Sequence, residues 1–112
     1  MPARRVACRR RVAALDEVAR VYVVVWEPEG TAVVDVVDEA GGLAAVWRCG
    51  GQEALAVALL ADATGHRPKA ATVEAFRREV LSLLPHEGFA ISSREVCAWL
   101  LVRAIARVDL ER

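Results

Sequence analysis

The chain has no asparagine, one lysine (Lys69), one tyrosine and two histidines in 112 residues, and aromatic residues make up only 5%. The scarce residue types need A/T-rich codons, so the shortage points to a GC-rich coding sequence and says little about function. Three cysteines, Cys8, Cys49 and Cys97, form no Cys-x-x-Cys pair, which excludes a zinc ribbon or a thioredoxin-type site at the level of motif. Each has apolar neighbours and reads as a small buried hydrophobe in a reducing cytoplasm. His66 and His86 have no cysteine or second histidine at ligand spacing, so neither a metal nor a cofactor is expected. The longest unbroken apolar run, Ala54–Ala61, is far short of the roughly 18 residues that a membrane span needs. No apolar stretch of signal-peptide type follows the N-terminal arginines before Asp16 and Glu17.

What is abundant is aliphatic. Hydrophobic residues reach 55%, which excludes a disordered or low-complexity chain and implies one globular domain over residues 1–112. The formal net charge is zero but unevenly placed: residues 1–20 hold six arginines against two acids, and residues 27–62 hold seven acids against one arginine. Such a polarised chain presents a basic end and an acidic middle, which shapes its long-range field.

Read for periodicity, Arg4–Val12 places Val6, Cys8 and Val12 on one side and Arg5, Ala7, Arg9 and Arg11 on the other, with Arg10 on the apolar side. This suits an edge strand or a basic arm over residues 1–18, with a helix over Arg9–Arg20 as the competing reading. Arg20–Trp26 is β-branched and aromatic and predicts a strand. Because that strand is apolar on both faces, it is either covered on both sides or meets a partner on one. Glu27-Pro28-Glu29-Gly30 is a turn signal. Thr31–Val37 returns with Ala32, Val34 and Val36 on one face and Val33, Asp35 and Val37 on the other. Leu43–Cys49 makes a third strand. After Gly50-Gly51 the period becomes helical. Gln52–Thr64 predicts a buried central helix capped by Gly65, and Ala70–Leu84 a second, with core stripe Val73, Phe76, Val80 and Leu83 and a stop at Pro85. Phe89-Ala90-Ile91 is a short extended piece. A last helix starts at Ser92 or Ser93, where Glu95 completes a capping box, and runs to about Leu110. The expected fold is α+β: an antiparallel meander of three to four strands, followed by three helices packed on one face. In the last helix, Cys97, Leu101, Ala104, Ile105 and Val108 are expected to face the core. Val96, Trp99 and Leu100, flanked by Arg103 and Arg107, are expected to form a partner interface.

From Trp47 to Leu100 the chain resembles an uncharacterised family of small proteins carried by bacteriophages, plasmids and bacterial genomes. The features shared are Trp47 running into Gly50-Gly51, the helix end Ala58-Leu59-Leu60-Ala61-Asp62, the close Leu83-Leu84-Pro85, the aromatic Phe89, and Ser92–Leu100. The chain departs from the family in its shorter glycine loop, and its first twenty residues have no counterpart there. The resemblance implies a fold and no activity, so no catalytic residue is carried over.

The residues themselves point away from catalysis. Ser82, Ser92 and Ser93 read as helix-surface or capping positions, and no nucleophilic triad assembles. Asp35, Asp38 and Glu39 read as a solvated acidic turn rather than a general acid–base pair. Gly50 and Gly51 precede a helix and could expose N–H groups to an anion, but the lysine of a phosphate-binding loop is missing. The expected function is a non-enzymatic interaction protein that binds a protein partner or homodimerises, and the resemblance implies an origin on mobile elements. The alternative is association with nucleic acid through Arg4, Arg5, Arg9, Arg10 and Arg11, whose contacts to phosphates would be salt-dependent.

Overall fold

The computed structural model describes residues 19–110, with side chains through Ala106. The proposed strand or helix near residues 4–20 therefore lies almost wholly outside the described residues. The order of elements is β1 (Arg20–Trp26), β2 (Ala32–Asp38), β3 (Leu43–Cys49), α1 (Gln52–Thr64), α2 (Ala70–Glu79), a 3-10 turn (Leu81–Leu83), β4 (Gly88–Ser92) and α3 (Ser93–Leu110). The fold is α+β, as the sequence implies. β1, β2 and β3 form the antiparallel meander, and β4 returns after two helices to pair antiparallel with β1, giving the order β3-β2-β1-β4.

Two turns fix the register of the meander. Gly30 donates its N–H to the Glu27 carbonyl at 2.9 Å, and Gly41 donates to the Asp38 carbonyl at the same distance. Both glycines have positive φ, 99° and 92°, the left-handed geometry that closes this kind of hairpin. Asp38 adds side-chain acceptors for the N–H groups of Ala40 and Gly42. The register then sets the faces. Tyr22, Val24, Ala32, Val34 and Val36 point to the helices and are fully buried, joined by Cys49 and Ile91 at the sheet edges.

α1 is the central helix. Leu55, Ala56, Leu59, Leu60 and Ala63 are buried, and Gly65 ends the helix in the left-handed conformation with its N–H on the Ala61 carbonyl. α2 departs from expectation. It stops at Glu79 and tightens into the 3-10 turn, so Leu81 is buried while Leu83, expected in the core, is exposed. The tighter winding moves each later side chain off the α-helical stripe. The capping box of α3 forms as expected: Glu95 N–H donates to Ser92 Oγ at 3.1 Å and Ser92 N–H donates to Glu95 Oε1 at 2.8 Å.

Candidate functional site

With the helices on one side of the sheet, the other side of the sheet is left open. The same register that buries the even-numbered residues of β1 turns Val21, Val23 and Val25 outward. Opposite them on β2 stand Val37, Asp35 and Val33, and on β3 Leu43, Val46 and Arg48. Ser92, Ala90 and Gly88 of β4 complete this side. Val23, Val25, Val46 and Leu43 are 36%, 52%, 54% and 63% exposed. No described element covers them. The result is a contiguous, nearly all-aliphatic face across four strands, in a protein whose other sheet face already supplies the core.

One charge interrupts it. Asp35 sits between Val23 of β1 and Val46 of β3, midway along β2, and is exposed. It makes no ion pair with any described residue. The other charges near this face are at its edges and are engaged. Arg48 donates to Glu27 Oε1 at 2.6 Å and to Oε2 at 3.3 Å, and this hydrogen bonding holds the Glu27 carboxyl below its ordinary range. Arg94 donates to Glu39 at 3.1 Å at the opposite end.

A second polar feature lies on the helix side. Arg20 Nη1 donates to both oxygens of Asp62 on α1, at 2.6 Å to Oδ1, and the Tyr22 hydroxyl donates to Asp62 Oδ2 at 2.7 Å. The Arg20 and Asp62 side chains are only 7% and 13% exposed. Burial, reinforced by the Asp62 charge, pushes the Tyr22 phenol well above its ordinary value. Every carboxylate oxygen here is taken up by a donor, and the cluster ties β1 to α1, so it reads as a structural pin. No sequence signal announces it, because Arg20 and Asp62 are 42 positions apart.

The interface expected on α3 is turned inward, and of the residues expected in the core only Cys97, among the described side chains, packs there. Val96 is fully buried, and Trp99 and Leu100 pack against the core, whereas Leu101, Val102 and Ile105 are exposed. Trp99 packs edge-on against Phe76, with ring centroids 5.2 Å apart, and donates its indole N–H to Glu79. Arg103 lies over the Trp99 ring at 5.7 Å and also donates to Glu79. These residues thus fasten α3 to α2. The Arg107 side chain lies outside the described residues, as do Arg4, Arg5, Arg9, Arg10 and Arg11. Gly51 is the N-cap of α1 and has no side-chain cap. With Trp26, Gln52, Leu81, His86 and Phe89 it lines a cavity of about 330 Å³ at the end of the sheet. No Arg or Lys lines that cavity, and nothing else marks the glycines as an anion site. Gly50 is exposed beside it.

Among the described residues, no cluster of three or more His, Cys, Asp or Glu is placed to hold a metal ion, and no helix is long and apolar enough to cross a membrane. Comparison with protein-family models, curated proteins and solved structures finds no match for the chain.

Proposed function

We propose that this protein is a non-enzymatic interaction protein whose working surface is the open face of the sheet. One observation carries the reading: Val21, Val23, Val25, Val46 and Leu43 form a continuous exposed aliphatic surface. Monomeric proteins rarely expose apolar patches of this kind unless they bind something there. The surface is built on a hydrogen-bonded four-stranded sheet, a scaffold that favours recognition without rearrangement. An origin on mobile elements belongs to the proposal as well, supported by the resemblance from Trp47 to Leu100, and so does a cytoplasmic location, supported by the buried thiol of Cys49.

The test is photo-cross-linking in host cells, with a photoreactive amino acid in place of Val23 and, as the control, in place of Glu74 on the outer side of α2. The expected outcome is a discrete macromolecular adduct from position 23, absent from position 74 and lost when Val46→Glu is added. Equal labelling from both positions, or none from position 23, would reject the open face as the working surface.

A further inference from the structure

The cavity of about 330 Å³ lies on the helix side of the sheet, where β1 turns into β2 and α1 begins. It does not depend on the open face being the working surface. Leu55 and Leu81, both buried, form its floor. Its rim at Gly30, Pro85 and His86 is exposed, so the cavity opens to solvent. Two aromatic side chains make the wall on the sheet side. Trp26 follows Val24 by two positions on β1, and Phe89 of β4 stands opposite Val24. The register therefore sets the two rings as diagonal neighbours on the core-facing side. Both are half-buried, and neither is paired with another described ring. Three polar groups accompany them: the Trp26 indole N–H, the Gln52 carboxamide and the His86 imidazole. None of the three makes a side-chain hydrogen bond to a described residue. A cavity of this size, apolar over most of its lining with a few convergent polar groups, has the form of a small-molecule site.

The lining selects the ligand. No Arg, Lys, Asp or Glu is part of it, so an ionic ligand would give up its hydration without gaining a counter-charge. Indole and phenyl side chains favour a planar aromatic body. A carboxamide both donates and accepts, and its complement is an amide or lactam edge, which does the same. We propose that this cavity binds a small neutral heteroaromatic molecule with a lactam edge, its ring against Trp26 and Phe89 and its N–H and C=O paired with the Gln52 carboxamide.

The experiment titrates the full chain with carbostyril, the neutral lactam of the quinoline series, and follows the indole N–H signals by NMR, with Trp26→Phe to assign Trp26. The Trp26 signal is expected to shift while those of Trp47 and Trp99, which do not line the cavity, stay in place. N-methylcarbostyril has nearly the same outline but no N–H, and it should bind about three- to tenfold more weakly, the factor of one hydrogen bond. Carbostyril should lose as much on Gln52→Ala, a variant whose unchanged Trp47 and Trp99 signals verify its fold. Quinaldate, an anionic ring of similar size, should leave Trp26 unmoved. A Trp26 signal that carbostyril does not shift, or equal shifts of all three indoles, would overturn the proposal. So would N-methylcarbostyril or Gln52→Ala binding as tightly as the parent pair, or quinaldate binding as tightly as carbostyril.

Discussion

Leu59→Ala is expected to destabilise the protein by about 2–5 kcal/mol. Leu59 is fully buried on α1, the helix that packs against α2, α3 and β3. Truncation removes three methylene-sized groups from water-free packing and leaves a cavity, because neighbours held by the sheet and two other helices have little room to collapse inward. Against a typical total of about 5–15 kcal/mol, that is a large fraction of the stability of a domain this small. Leu101→Ala on α3 provides the contrast. Leu101 is 63% exposed, so its truncation should change stability by no more than about 0.5 kcal/mol. Urea unfolding of the two variants, with an unchanged slope, measures both effects. A Leu101→Ala variant as costly as Leu59→Ala would mean that α3 presents to the core the face first expected from the sequence.

That contrast also shows where the sequence was legible and where it was not. The strands β1, β2 and β3, the extent of α1 and the capping box of α3 could be read directly, because each is written in local chemistry: β-branched alternation, a glycine at the required position, a serine with a glutamate three residues on. The face of α3 could not. Residues 96–102 read Val-Cys-Ala-Trp-Leu-Leu-Val, apolar at every position, so the helical period carries no phase there. The phase is set by partners distant in the chain: Phe76 and Glu79 receive Trp99, and a ring of that size fits only where they leave space. The early end of α2 has the same kind of cause. Leu81 buries itself by leaving the α-helical stripe, and Leu83 is turned out as a consequence. The open face was half legible. A strand apolar on both sides implied either a second cover or a partner, but only the register of four strands shows that Val21, Val23, Val25 and Val46 lie on one surface around Asp35.

Asp62→Ala is expected to be the costliest single polar substitution, at about 3–5 kcal/mol. Asp62 accepts from Arg20 and from the Tyr22 hydroxyl, and its removal strands a buried guanidinium whose Nη2 has no hydrogen-bond partner among the described residues. The cost lies in the group left behind, so a cycle separates it from the worth of the pair. Arg20→Met should be costly alone, whereas Arg20→Met with Asp62→Leu should recover most of the loss, since replacing both charges by apolar groups is often close to neutral. Tyr22, the only tyrosine, offers an optical readout of the same cluster. Its phenol is pushed above the ordinary value of 10.0, first by burial and then by the Asp62 charge. The folded state therefore favours the neutral phenol. The resulting stabilisation is fully present below the unfolded value of about 10 and declines as pH rises beyond it. In the parent, phenolate absorbance should stay absent as pH passes 10 and appear together with alkaline unfolding. In Asp62→Asn, without the carboxylate charge, the phenol should ionise at lower pH than in the parent. A parent whose tyrosine titrates near pH 10 with the fold intact would show that the cluster does not hold Tyr22 between sheet and helix, and the large cost assigned to Asp62→Ala would lose its basis.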